Sequence, residues 1–190
     1  MGMPAQQQDL DWTVERVHAL PDDLNRYEVL DGELFVTPSP IWRHQTAVGL
    51  LYTPLLAYAL ERRIGWTLFA PADVIFSPRR LLQPDLFVVP WRDLGVPNPS
   101  PTRLLLAVEV LSPSTARADR QRKRAIYQDE HVPEYWIVDA DARLIERWRL
   151  DDERPEIVTD QLTWQPRVDH QPFELDIARY FDAVFDWPTG

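Results

Sequence analysis

Glu109 stands inside the run Leu104-Leu105-Leu106-Ala107-Val108-Glu109-Val110-Leu111, which otherwise reads as the interior of a sheet. An isolated carboxylate in such a place costs several kcal/mol unless it is paired, protonated or bound to a metal. A second acid, Asp85, follows Pro84 and opens the neighbouring strand candidate. If the two strands are adjacent, the acids lie near each other where the strands diverge. Two carboxylates, a backbone carbonyl and water suit a hard divalent cation, Mg²⁺ or Mn²⁺, and the Val110 carbonyl is the natural third ligand.

Lys123 is the only lysine among the chain's 20 basic residues. Glu109 lies two residues before the end of its strand run, roughly 7 Å back at about 3.3 Å per residue. Lys123 lies some eight residues into the helix that returns over the sheet, roughly 12 Å back at about 1.5 Å per residue. The connecting turn and the long lysine stem absorb the difference, so the ammonium can reach the Glu109 carboxylate. Position 111, which shares Glu109's face of the strand, is Leu and supplies no cation. Two readings fit these residues. Asp85, Glu109 and Lys123 assemble a metal-assisted hydrolytic site; or Glu109 and Lys123 form a structural ion pair and Asp85 is a turn acid after proline.

Other chemistries are excluded or unsupported. With no cysteine there is neither a disulfide, nor a thiolate metal site, nor a thiol nucleophile. His18, His131 and His170 show no zinc-ligand spacing. A glycine-rich phosphate loop and a G-x-S-x-G elbow are absent, and Ser112 and Ser114, flanking Pro113, read as helix caps. The formal net charge of −10 argues against general nucleic-acid binding, although Arg117, Arg120, Arg122 and Arg124 share one helix with Lys123 and form a local basic patch. No run of apolar residues is long enough to span a membrane, and the N-terminus lacks a secretory pattern, so a cytoplasmic protein is expected.

The elements that must position these residues follow from periodicity and punctuation. At 190 residues and 45% hydrophobic content the chain supports one domain, 1–190, with residues 1–10 expected to be disordered. Residues 11–20 read as a short amphipathic helix. Tyr27–Val36, centred on Asp31-Gly32, reads as a hairpin. Residues 41–63 form a long helix kinked near Pro54, with Ile41, Val48, Leu51, Leu55 and Tyr58 as buried candidates. Strands are expected at Trp66–Phe76, with an irregularity at Pro71, and at Asp85–Val89 and Leu104–Leu111. A helix over 116–129 follows, then strands Glu134–Asp139 and Arg143–Leu150. Residues 151–175 are poorly patterned. Leu175–Phe185 closes as an amphipathic helix whose aromatic content makes homodimerisation plausible. The order implies an α/β fold with a mixed central sheet.

Several motifs occur together in order. They are Leu20-Pro21-Asp22, Arg26-Tyr27-Glu28, Asp31-Gly32-Glu33-Leu34, Pro38-Ser39-Pro40 before His44, and Ala70-Pro71-Ala72-Asp73-Val74. Further on come Pro84-Asp85, Val108 to Thr115, Arg120, Lys123 to Tyr127, and Val132-Pro133-Glu134-Tyr135-Trp136-Ile137-Val138-Asp139. Over about residues 12–185 the chain resembles the Uma2 family (DUF820), described as restriction endonucleases of the PD-(D/E)XK superfamily. The resemblance implies a restriction-endonuclease-like core in which Asp85 and Glu109 hold Mg²⁺. The superfamily's usual lysine would stand where this chain has Leu111; related families supply it from the following helix, which suits Lys123. Glu28, Glu33 and His44 match family positions that line the site. The activity implied is metal-dependent hydrolysis of DNA phosphodiesters, with Arg117, Arg120 and Arg124 on the phosphates. The rival is a catalytically inactive module of the same fold that binds nucleic acid or a partner protein. Leu111 and the acidic charge favour the rival; the company of Asp85, Glu109 and Lys123 favours the enzyme.

Overall fold

The computed structural model describes residues 11–21, 23, 25–37, 39–91 and 103–186. The segment 1–10, expected to be disordered, lies outside the described residues. Helix α1 spans Val14–His18, and its N-cap Thr13 accepts a hydrogen bond from the Arg16 N–H. Strands β1 (Arg26–Leu30) and β2 (Glu33–Thr37) form the expected hairpin. Asp31 and Gly32 between them both have positive φ, 53° and 87°, as a two-residue hairpin turn of this hand requires.

Helix α2 runs from Trp42 to Glu61 and includes Pro54. Its buried residues Ala47, Val48, Leu51, Leu55 and Ala59 recur at helical spacing and face the sheet. Ile41 departs from expectation: it is the N-cap residue of α2 and 66% exposed. The single strand expected over Trp66–Phe76 is two strands in different sheets, β3 (Gly65–Phe69) and β4 (Val74–Ser77), separated around a cis Ala70-Pro71 bond. Proline has no N–H to give a ladder, so the run breaks there. Gly65 is needed where β3 crosses its neighbour, because a Cβ would sit 1.8 Å from the Val89 carbonyl oxygen.

Strand β5 (Arg80–Leu82), unmarked in the sequence, joins β4 and β1 in a four-stranded sheet of order β2-β1-β5-β4. Strands β6 (Leu86–Pro90) and β7 (Leu106–Val110) pair antiparallel. The returning helix comprises α3 (Ala116–Ala118), a π-helical turn (Asp119–Lys123) and α4 (Arg124–Asp129). Ser112 and Ser114 are not the caps expected: Thr115 is the N-cap of α3, without a side-chain capping bond, and the Ser112 hydroxyl meets those of Ser114 and Thr115. Strand β8 (Glu134–Asp139) lies parallel to β7, and β9 (Leu144–Arg149) antiparallel to β8.

The segment left unpatterned, 151–175, contains β10 (Glu156–Val158), β11 (Gln161–Trp164) and β12, which runs from Phe173 to Asp176. The strands are too short for their alternation to stand out, yet Leu162, Trp164 and Phe173 are buried. Helix α5 (Ile177–Phe185) buries Ile177, Tyr180, Phe181 and Val184 as expected. Of the α5 aromatics, Tyr180 and Phe181 lie in the chain's own core and Phe185 is half-buried against it.

The six-stranded sheet, β10-β9-β8-β7-β6-β3, is mixed, since only β7 and β8 run parallel. Alternation along its strands divides the core. Leu106, Val108 and Val110 of β7 join Leu86, Val88, Trp136 and Val138 under α2 and α5. Ala107 joins Phe87, Val89, Tyr135 and Ile137 on the opposite face, with Ile126 and Tyr127 of α4 and with Leu30, Val74 and Leu82 of the four-stranded sheet. Glu109 shares Ala107's face, so it points between the two sheets. Among the described residues no helix is long and apolar enough to cross a membrane.

Candidate active site

The register that pairs Leu86 with Val108 brings Asp85 opposite Glu109 at the end of the β6–β7 ladder. Asp85 closes that ladder through its side chain: the Val110 N–H donates to Oδ2 at 2.8 Å. Val110 thus meets Asp85 through its N–H. His44 Nε2 lies 3.0 Å from the same oxygen, and Arg26 Nη1 donates to Oδ1 at 2.7 Å. Burial alone would raise the Asp85 pKa; the His44 hydrogen bond and charge, the Arg26 guanidinium and the Val110 N–H outweigh it and hold the group at about 2.

Lys123 reaches Glu109 from the π-helical turn. Its Nζ donates to Glu109 Oε1 at 3.0 Å, lies 3.0 Å from Glu28 Oε2, and lies 3.4 Å from Asp119 Oδ1 one turn back on its own helix. The Tyr127 hydroxyl donates to Glu109 Oε1 at 3.2 Å, and the Gln83 N–H donates to Glu28 Oε1 at 2.8 Å. Glu28, Asp85, Glu109, Asp119 and Lys123 are all between 1% and 3% exposed. Burial pushes Glu109 well above the ordinary glutamate range; Lys123 opposes that shift, while Asp85, Asp119 and Glu28 add to it. For Lys123, burial would lower the pKa, but the surrounding carboxylates drive it well above the ordinary lysine value, so it stays an ammonium.

Four buried carboxylates therefore face one ammonium and one guanidinium. Even with His44 charged, the group carries excess negative charge in a poor dielectric. Both oxygens of Asp119 are buried without a hydrogen-bond partner. Burial is the leading cause of its raised pKa.

Glu28, Asp85, Glu109 and Lys123, with Arg26 and His44, form the floor of a cleft of about 850 Å³. Pro40, Ile41 and Arg43 from the start of α2 border it on one side, Ser112 to Ala116 on another, and the β8–β9 turn on a third. The donor set is all hard oxygen apart from His44, and its excess negative charge suits a divalent cation. Asp85 and Glu109 are the two acids at the strand ends that can hold one. Among the described residues no three His, Asp or Glu side chains are gathered around a common point as a ready-made cage.

Structural comparison and family matching agree. A solved structure described as a "putative nuclease belonging to DUF820" from Anabaena variabilis matches with a TM-score of 0.76 at 17% identity, covering 90% of this chain and 98% of that one. The Uma2 family model, described as "Putative restriction endonuclease", matches residues 14–178. This chain belongs to the Uma2 family. No curated protein matches it. The Uma2 core accounts for the mixed sheet and flanking helices found here, with β7 and the helix after it meeting at Glu109 and Lys123.

The remaining sequence candidates divide. His44 and Glu28 join the cluster. Glu33 does not line the cleft; at the start of β2 it pairs with Arg122 of the returning helix. Arg120 borders the cleft, with its guanidinium held by Asp139 at 2.8 Å and Glu146 at 2.6 Å. Arg124 stacks 4.7 Å over the Trp148 ring, and Arg117 is exposed beside Gln121. Two members of the cluster were not named as site residues from the sequence: Arg26, quoted only within its motif, and Asp119. Signals for both exist: Arg26 is two residues from Glu28 and so shares its face of β1, and Asp119 stands four residues before Lys123 on one helix face.

Proposed function

We propose that this Uma2 chain is a metal-dependent nuclease that hydrolyses DNA phosphodiesters, with Mg²⁺ or Mn²⁺ held by Asp85 and Glu109 and assisted by the Val110 carbonyl. The observation that carries the reading is the buried Lys123–Glu109 contact beside Asp85 at the floor of an open cleft. When bound, the metal polarises the scissile phosphate and lowers the pKa of water. The hydrolysis adds one water oxygen to phosphorus and breaks one bridging P–O bond, and the leaving oxygen takes a proton. Lys123, fixed as an ammonium, is a donor and a positive charge for the developing phosphate charge and is not a base. Its three carboxylate neighbours hold it in place. Arg26 and His44 orient Asp85. Arg117, exposed on the helix that carries Lys123, is the best candidate for flanking phosphates; Arg120, held by Asp139 and Glu146, and Arg124, stacked on Trp148, have weaker claims.

The test is nicking of supercoiled DNA with Mg²⁺ or Mn²⁺. Wild type cuts, whereas Asp85→Ala, Glu109→Ala and Lys123→Ala do not. Glu109→Gln, which keeps the side-chain volume, separates lost chemistry from lost folding. If wild type never cuts, or all variants cut equally, the reading fails.

One observation favours a second reading, an inactive nuclease-fold module. Asp85 already receives three donors, from Arg26, His44 and Val110, and Glu109 is already bound by Lys123 and Tyr127. Such a module binds no Mg²⁺ tightly, and calorimetric titration of the folded protein distinguishes the two.

A further inference from the structure

Four cations border the cleft: Arg26, Arg43, Arg120 and Lys123. Three are engaged by carboxylates, Arg26 by Asp85, Arg120 by Asp139 and Glu146, and Lys123 by its trio. Arg43 differs. Among the described residues its guanidinium makes no ion pair, and its Nε is buried without a hydrogen-bond partner. It is held instead by aromatic faces, with Cζ 5.0 Å from the Phe185 ring centre and 5.5 Å from that of Trp42. Stacking of this kind restrains the guanidinium while leaving its in-plane N–H donors available. Those donors suit the paired oxygens of a phosphate, which a guanidinium meets bidentately. Arg43 borders the same cleft as His44, Asp85 and Glu109, so an anion bound by it lies in the space that the acidic floor closes.

We propose that Arg43 is a phosphate-positioning residue, engaging a backbone phosphate of the nucleic-acid strand that enters the cleft. This rests on the nuclease-type reading for its ligand class, but not on catalysis. The physical need is clear. An acidic floor repels a polyanion, and the other three cations that border the cleft are paired with carboxylates, so an unpaired guanidinium on its rim favours the entry of a strand.

The test is binding rather than cutting. A short fluorescein-labelled oligodeoxynucleotide is titrated with the intact protein in Ca²⁺, and its anisotropy is followed across a range of salt concentrations. Arg43→Gln is expected to weaken binding about 10-fold or more, the usual scale for a charge-assisted hydrogen bond. It also lowers the slope of log K against log salt by about 0.7 for a single strand or about 0.9 for a duplex, as loss of one phosphate contact requires. Arg43→Lys keeps the slope and loses part of the affinity, which a merely structural role would not produce. Arg154→Gln, on an exposed loop, serves as the control and leaves both quantities unchanged. The proposal is overturned if Arg43→Gln matches wild type in affinity and slope, or if wild type binds no oligonucleotide. Wild type that binds in this Arg43-dependent way but never cuts DNA would sink the nuclease reading and leave this one standing.

Discussion

Among the described residues two places gather three carboxylates around one cation, and they differ in almost everything else. Arg80 meets Asp31 at 2.6 Å, Glu130 at 2.7 Å and Asp129 at 3.1 Å, tying the hairpin turn to the end of α4. Each of its nitrogens takes one acid, and Asp31 and Asp129 are largely exposed. Lys123 meets Glu28, Glu109 and Asp119 with a single nitrogen, and all four groups are buried. Solvent screens the surplus negative charge around Arg80, so that cluster needs no further ligand. Burial largely denies that screening to the acids around Lys123. A surface hub of this kind is a modest brace, whereas the buried one is an electrostatic tension that a bound cation would relieve.

Breaking the two hubs in parallel tests the contrast most strongly. Lys123→Met leaves three buried carboxylates without their ammonium and is expected to cost about 3–5 kcal/mol in urea unfolding at neutral pH. Part of that loss returns as pH falls, because the folded state can then bind protons. Arg80→Met is expected to cost no more than about 1 kcal/mol, and less at high salt. Equal losses would erase the distinction.

Asp85 gives the next effect, of opposite sign to that of Glu109. Its folded pKa, about 2, lies below the ordinary 3.8. Its contribution is therefore present above about pH 4 and lost as pH falls through about 2, amounting to roughly 2 kcal/mol. Asp85→Asn should flatten the acid limb of the stability curve. An unchanged acid limb would remove Asp85 from the electrostatic account.

Glu109 has a folded pKa raised above 4.5, so ionising it in the native state is unfavourable. Wild-type stability without metal therefore falls as pH rises from about 4.5 through that raised value. Glu109→Gln removes this fall and is expected to be neutral or stabilising without metal, by on the order of 1 kcal/mol at neutral pH. Lys123 keeps Glu28 and Asp119 in that variant. Thermal unfolding against pH with a chelator reads the effect; a large destabilisation would mark the Glu109–Lys123 contact as a structural pair. The smallest effect is Asp31→Asn at the Arg80 hub, within about 0.5 kcal/mol and abolished by salt.

Much of this is legible locally. Asp31-Gly32 dictates a hairpin through backbone conformation alone, the stripes of α2 and α5 follow from helical period, and β7 declares itself as a buried strand by its unbroken apolar run. Glu109 is conspicuous because it violates that run, and Lys123 because it is the lone lysine. Strands β5, β10, β11 and β12 were not legible, because three or four residues carry too little alternation to register. The β3–β4 division escaped because both halves are apolar and the four residues between them, 70–73, are too few to read as more than an irregularity.

The residue sequence by itself determined that an acid had to be buried in a central strand and that a lysine on the next helix could reach it, since strand and helix rise per residue are constants of the backbone. Only the tertiary structure decided which distant charges would join them. Arg26 with Asp85, Glu28 with Lys123, and the diversion of Glu33 to Arg122 depend on how the four-stranded sheet lies against the six-stranded one. That packing is set by apolar burial across the whole interface, and no local pattern around a charged residue records it.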